Sequence, residues 1–343
     1  MKKRLLYFDL LKVLSSFAVV LIHVISEYWY DLPLKSSSFF SLTMIDGLIR
    51  FAVPIYLMIS GAIFLNEEKE ITIKDILTKY ALKIILLFIF WNTAYVLLTK
   101  LIILEEPLTF KLFLDSLVST LLGKGVYHLS FLVLIIGFYL SVPLIRKITK
   151  KENKKEIEYL LILLLIFTSI LPMIRSIFGI KVNYSIMFSG FLIYVILGYY
   201  LNTFPISKNK RIVIYVLGIV GYLITSLGTY FYSNYVNNHN ELFYTYLSLN
   251  VIMLSSAIFV FFKNLKIKNE KTKKVITFLG KEYFGVYLVH GFVIGLFHVL
   301  GLFDLDINMT LNVIILSILV FLVSLLISFI MSKIPYIKKL VKA

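Results

Sequence analysis

The sequence predicts an all-α fold, a polytopic transmembrane helix bundle of about ten spans with both termini cytoplasmic, and three observations lead there. Hydrophobic residues make up 59% of the chain and its mean hydropathy is +0.90, whereas soluble domains hold about 45–50% apolar residues. The apolar residues come in long blocks, and a helix needs about 20 of them to cross the hydrocarbon core. The basic residues are distributed unevenly between those blocks. In lipid every backbone polar group has to be bonded within its own segment, so the spans are helical. The period-2 alternation of a transmembrane barrel is absent.

Taken in order, the first span lies near 5–26. Its "MKKRLLYF" start has the basic residues of a signal peptide, but the following run is long, interrupted by charge and without a small-residue cleavage site, so it reads as a retained helix. The others lie near 39–65, 80–104, 126–145, 157–172, 184–202, 211–232, 243–262, 281–302 and 310–332, each an apolar block between charged or Gly/Pro/Asn-rich breaks. The fifth is the shortest. The longest interruptions, near 105–125 and 263–280, are of loop size, so the expectation is one transmembrane unit over 1–343 with no appended soluble domain.

The formal net charge of +16 would suggest nucleic acid in a soluble protein. Here 26 of the 35 Lys and Arg residues fall in segments that alternate spans place on the side of the N-terminus. That is the positive-inside pattern, with a cytoplasmic N-terminus and anionic lipid head groups as neighbours. It accounts for the charge without nucleic acid. With no cysteine in the chain, a disulfide framework, a thiolate nucleophile and a thiolate metal site are excluded.

Four spans carry residues that a bilayer makes expensive. On the first, "YFDLLKVLSSFAVVLIHV" holds Asp9, Lys12, Ser16 and His23. At about 100° per residue these four and Glu27 fall within one stripe roughly 60° wide. An intramembrane charge costs roughly 2.5–3.5 kcal/mol on the mildest scale, so such residues face a partner or a wet cavity. Lys12 and His23 are about 16 Å apart along the axis, comparable to an extended phosphopantetheine arm. The bland alternative has Lys12 reaching inner head groups and paired with Asp9, and His23 at an interface.

On the second span, "DGLIRFAVPIYLMISGAIF" sets Asp46 and Arg50 at i,i+4, four residues before Pro54, which can kink the helix. A structural ion pair explains them as readily as a functional one. Gly61, after Ser60, permits close helix contact. "YHLSFL" places His128 at the start of the fourth span, and "LGKEYFGVYLVHGFVIG" places His290 in the ninth, with Tyr283 and Tyr287 within about 60° of it.

Taken in this order, the segments resemble the acyltransferase-3 family of integral membrane O-acyltransferases, which includes enzymes that acetylate surface glycans. "YFDLLKVLSSFAVVLIHV" resembles the first-helix signature, "RFAVPIYLMISG" the second, "YHLSFL" the usual His-Leu-Trp-Phe-Leu and "LGKEYFGVYLVH" the late Tyr-Leu-x-His segment. Two positions depart from the pattern. Lys12 stands where arginine is common, keeping the charge but losing the bidentate fork, and Ser130 stands where tryptophan is usual.

The resemblance implies transfer of a short acyl group, acetyl first, from cytoplasmic acetyl-CoA or another acyl-CoA to a hydroxyl of a cell-envelope glycan or its lipid-linked precursor. The expected catalytic residues are His23, Arg50 and Asp9. Lys12, Ser16 and Ser60 are expected to hold the donor, and His128, Tyr287 and His290 the acceptor side. His23 would serve as general base and Arg50 would stabilise the oxyanion or orient phosphates. No ligand-spaced cluster argues for a metal, and the thioester already supplies an activated leaving group. Some members of the family carry an extracytoplasmic hydrolase-like domain, so a separate transferase partner outside the membrane is one alternative to direct transfer. A transporter or flippase of a lipid-linked sugar would also need a polar intramembrane cavity, and a scaffold could use the polar stripe as packing glue.

Overall fold

The computed structural model describes residues 5–102, 104–122, 129–178, 190–303 and 307–342. Among them the α-helices are α1 (Leu6–Trp29), α2 (Ser37–Ile49), α3 (Ala52–Phe64), α4 (Ile73–Asp75), α5 (Leu82–Ile102), α6 (Phe110–Leu121), α7 (Ser130–Ile148), α8 (Lys154–Leu165), α9 (Leu171–Phe178), α10 (Leu192–Thr203), α11 (Lys208–Val236), α12 (Leu249–Asn264), α13 (Glu270–Val299) and α14 (Met309–Lys333). No strand occurs among the described residues. Side-chain oxygens of Ser36, Thr109, Ser207, Asn269 and Asn308 accept from first-turn amides of α2, α6, α11, α13 and α14, groups that otherwise lack an intrahelical partner.

Nine stretches among the described residues are long and apolar enough to cross a membrane, and Leu192–Thr203 is a shorter apolar helix. The sixth expected span, 184–202, is described only from residue 190. Three expectations are corrected. The fifth block, read as the shortest, belongs to a 28-residue stretch, Lys151–Phe178, which passes through a π-helical segment at Ile166–Ile170. Its charged start lies on a solvated end, where Lys154 and Glu158 pair at i,i+4. The interval 105–125 contains α6, capped by Thr109. The ninth span begins at Glu270 rather than 281, since Asn269 caps a polar extension of the apolar helix.

The second span is broken into α2 and α3 at Arg50–Phe51. Pro54 is the cause. It has no N–H to give the Arg50 carbonyl four residues back, and its ring crowds that carbonyl. The ladder resumes one residue on, where the Ile55 amide donates to the Phe51 carbonyl at 2.9 Å.

α1 lies at the centre, packed against α2, α3, α12, α13 and α14. Its polar stripe is answered position by position along the parallel helix α13. Asp9 lies against Gly280, where a Cβ would come within 2.6 Å of the Asp9 Cβ. The Lys12 ammonium sits 5.0 Å from the centre of the Tyr283 ring, and the rings of His23 and His290 are 5.2 Å apart. Glu27 meets His298 at 2.9 Å. Residues 280, 283, 290 and 298 lie on one face of α13 at helical spacing, so two polar stripes run side by side through an otherwise apolar bundle.

Small residues set the tightest crossing. A Cβ on Gly61 would lie 1.9 Å from the Val195 carbonyl oxygen, and one on Gly198 would lie 2.1 Å from the Met58 carbonyl oxygen. Each glycine of α3 and α10 therefore admits the backbone of the other helix, the close approach that drives association in lipid. Replacing Gly198 with Ala forces the helices apart and is expected to cost about 1–3 kcal/mol, the usual range for overpacking. Gly137→Ala, where a Cβ meets nothing within 4 Å, is the control. Thermal unfolding in detergent should show a lowered midpoint for the first and none for the second.

The basic interhelical segments collect at one end, that of Lys12. Arg146, in the last turn of α7, donates to the carbonyls of Phe64 and Asn66 at 2.6 and 3.1 Å and of Lys69 at 2.7 Å. Lys263, in the last turn of α12, donates to the carbonyls of Leu201 and Asn202 at 2.6 and 2.9 Å. Both cations meet carbonyls at the C-terminal end of an apolar helix, Phe64 of α3 and Leu201 and Asn202 of α10, where unpaired acceptors and the helix dipole favour positive charge; Arg146 also ties down the turn that follows α3.

Candidate active site: two chambers and an aromatic waist

Two cavities open inside the bundle along the α1–α13 seam. The lysine chamber, about 540 Å³, is lined by Lys12 and Ser60 together with Tyr139, Lys281, Tyr283 and Lys342. The histidine chamber, about 530 Å³, is lined by His23, Arg50, Ser130 and Tyr246 against an apolar wall that includes Ile22 and Val53. Three side chains line both: Tyr56 of α3, Phe131 of α7 and Tyr287 of α13. The rings of Tyr56 and Phe131 are 5.6 Å apart and those of Phe131 and Tyr287 5.8 Å. An aromatic waist therefore stands where a single open shaft would join Lys12 to His23.

The sequence forces this layout locally. Eleven residues along α1 return to nearly the same azimuth, so Lys12 and His23 enter two chambers stacked on one face. The helix break at Arg50 brings that guanidinium to the His23 level. There Arg50 forms an ion pair with the buried Asp46, and its Cζ lies 4.1 Å from the centre of the Tyr244 ring. The Tyr244 hydroxyl donates to the Thr43 carbonyl at 2.8 Å, fixing the ring. A carboxylate on one side and an aromatic face on the other hold the cation in place.

His290 is fully buried; one ring nitrogen, Nδ1, lies 2.7 Å from the Tyr287 carbonyl. It stands behind His23 rather than in the chamber wall. Tyr283 stacks on Tyr56 at 5.7 Å and 27°, so Lys12, Tyr283, Tyr56 and the waist form one connected set. The Tyr56 hydroxyl reaches the Lys12 carbonyl at 3.4 Å.

The structure thus gathers His23 and Arg50 at one chamber, Lys12 and Ser60 at the other, and Tyr287 between them. Asp9 and Ser16 are buried and line neither chamber; Ser16 donates to the Val13 carbonyl at 2.9 Å. Asp9 is fourteen residues from His23, about 21 Å along the helix. His128 lies outside the described residues. Tyr56, Phe131, Tyr246, Lys281 and Lys342 were not singled out from sequence. With 23 Tyr and 29 Phe in the chain, no local signal marks a waist; the lysines sit in basic clusters that read as membrane-surface charge.

Fold and site together define a multi-pass membrane protein with a polar, two-chambered interior. An acyltransferase domain model matches residues 5–333, essentially the whole chain, and the protein belongs to that acyltransferase-3 family. No curated protein and no solved structure matches the chain.

Proposed function

We propose that the protein is a plasma-membrane O-acyltransferase that moves a short acyl group, acetyl first, from cytoplasmic acyl-CoA to a hydroxyl of a cell-envelope glycan or its lipid-linked precursor. The observation that carries this reading is the pairing of a cationic chamber with a histidine–arginine chamber across a waist of three rings. A polyanionic donor and a reacting acyl group would sit at opposite ends of such a path, and about 16 Å separates Lys12 from His23 along α1. The collection of basic segments at the Lys12 end supports a cytoplasmic lysine chamber by the positive-inside rule.

In this reading Lys12 and Ser60 hold the donor end, and the waist rings part for its pantetheine arm. His23 takes the proton of the acceptor hydroxyl as its oxygen attacks the thioester carbon. Arg50 faces the developing oxyanion, held ready by Asp46 and Tyr244 so that little reorganisation is needed at the transition state. As the C–S bond breaks, the imidazolium returns the proton to the departing thiolate. His290 and Tyr287 orient His23 and the waist.

The test is direct. A chain without cysteine contributes no thiol, so free thiol released from acetyl-CoA by the purified protein reports turnover alone. Acceptor-dependent thiol release, with an acyl mass added to the glycan, is the expected result. Translocation of a lipid-linked glycan with no consumption of any acyl-CoA would replace this reading with transport.

A further inference from the structure

The segment that joins α11 to α12 enters the bundle without being α-helical. Asn237, in the left-handed region at φ +50°, ends α11, and a 3-10 turn follows at Leu242–Tyr244. The apolar stretch Leu242–Asn264 has the length of a membrane span, yet its α-helix starts only at Leu249. Irregular backbone is tolerated at membrane depth where protein buries it or where it lines a cavity, because each unbonded carbonyl or amide there is costly. This segment does both. The buried Asn250 side chain donates to the Phe243 carbonyl at 2.7 Å and to the Thr225 hydroxyl at 2.8 Å. The Tyr194 hydroxyl, on a fully buried residue, donates to the Tyr246 carbonyl. Leu247 fills the space left by Gly190, where a Cβ would lie 2.5 Å from the Leu247 Cδ1. With the Tyr244 hydroxyl on the Thr43 carbonyl, anchors from α2, α10 and α12 fix the chain on both sides of Tyr246.

Tyr244 and Tyr246 have different tasks. Tyr244 turns its ring face to Arg50 while its hydroxyl is committed to Thr43. Tyr246 lines the histidine chamber beside His23 and Arg50, and its phenol interacts electrostatically with the Arg50 guanidinium. The other hydroxyls of the described lining are placed elsewhere. That of Tyr56 reaches the Lys12 carbonyl at 3.4 Å, Tyr287 stands in the waist, and Ser130 is exposed at the start of α7. Arg50 gives one nitrogen to Asp46. A tetrahedral oxyanion is best held by more than one fixed donor, and a tyrosine hydroxyl is among the groups that serve.

We infer that the Tyr246 phenol is a second hydrogen-bond donor to the oxyanion, alongside Arg50, presented by a loop whose backbone is anchored to hold it there. This rests on the acyl-transfer reading above. As the acceptor oxygen bonds to the thioester carbon, the carbonyl π pair moves onto the carbonyl oxygen, which accepts from Arg50 and from Tyr246. The pair returns as the C–S bond breaks, and the thiolate takes the proton held by His23. The phenol proton stays on Tyr246 throughout.

The experiment has two arms. Tyr246→Phe removes the hydroxyl but keeps the ring, and the bond from Tyr194 survives because it goes to the backbone. Its single-turnover acyl-transfer rate should fall about 10²-fold, the lower end for one oxyanion donor. KM for acetyl-CoA and for the glycan, and the melting temperature in detergent, should stay at their wild-type values. A Tyr246→Phe protein with the wild-type rate overturns the inference. So does one whose only change is a raised KM for the glycan, since the phenol then holds the acceptor. In the second arm 3-fluorotyrosine is incorporated at position 246. It keeps the hydroxyl and makes it more acidic, so a donor to developing negative charge should carry the rate above wild type. A rate at or below wild type shows that the phenol packs against Arg50 or accepts from it, and overturns the inference even where Tyr246→Phe is unstable. If the wild-type protein consumes no acyl-CoA, the transferase reading fails first. If it turns over and Tyr246→Phe is unimpaired, only the second donor fails.

Discussion

On the acyl-transfer reading proposed above, replacing His23 with Gln is expected to lower kcat by about 10²–10⁴-fold, the contribution of a positioned general base, while the protein still inserts and unfolds at the wild-type temperature. Glutamine retains a polar side chain of similar reach, so the seam with His290, 5.2 Å away ring to ring, loses little packing. What disappears is a group able to take the hydroxyl proton and return it to the thiolate. His290→Gln is expected to act more weakly, because His290 is fully buried behind His23 and touches the reaction only through it. Single-turnover kinetics on matched amounts of folded protein measure both. A His23→Gln protein with wild-type kcat would remove the base from the mechanism, and with it the reason for placing the acyl group in the histidine chamber.

The second large effect is on stability. Arg50→Met leaves the Asp46 carboxylate, 4% exposed, inside the bundle without its cation, and breaking a buried pair from one side costs about 3–5 kcal/mol. Asp46→Asn/Arg50→Met should recover much of that loss, since no uncompensated charge remains, yet its kcat should stay low because the group proposed to face the oxyanion is gone. The combination separates the two roles that the sequence alone left evenly balanced. Thermal unfolding reads the structural role and the rate reads the chemical one. A double variant that regains both stability and turnover would reduce Arg50 to an ion-pair partner. Arg50→Lys tests geometry: the charge persists, but a planar fork that lies 4.1 Å over Tyr244 and engages Asp46 has no equivalent in an ammonium.

Much of the architecture was legible in the residues. An apolar block of bilayer length has few alternatives to a helix, so the long spans and their order follow from composition alone. The α1 stripe was legible because an 11-residue spacing on a helix fixes azimuth whatever surrounds it, and the close contact at Gly61 was readable because only a missing Cβ allows it. Other boundaries were not. Lys151–Phe178 and the start of α13 continue through charged residues, since a helix that leaves the bilayer no longer has to be apolar. Hydropathy therefore marks where lipid ends rather than where the helix does.

The contents of the chambers divide in the same way. Sequence by itself determined that Lys12 and His23 share a face, that Arg50 sits beside a proline break with a carboxylate one turn away, and that the apolar surroundings make these charges costly unless they face an interior. Those are properties of a single helix and its solvent. Only the tertiary structure decided that the face of α1 is matched by Tyr283, His290 and His298 of α13, and that Tyr56, Phe131 and Tyr287 close a waist between two cavities. It alone carried Lys342 back, from fifty-nine residues beyond Tyr283, to the same chamber. The physical reason is that lipid is as apolar as leucine: between spans no periodicity dictates which face meets which, and the choice rests on steric fit at glycines and on a few buried polar pairs whose partners are distant in the chain.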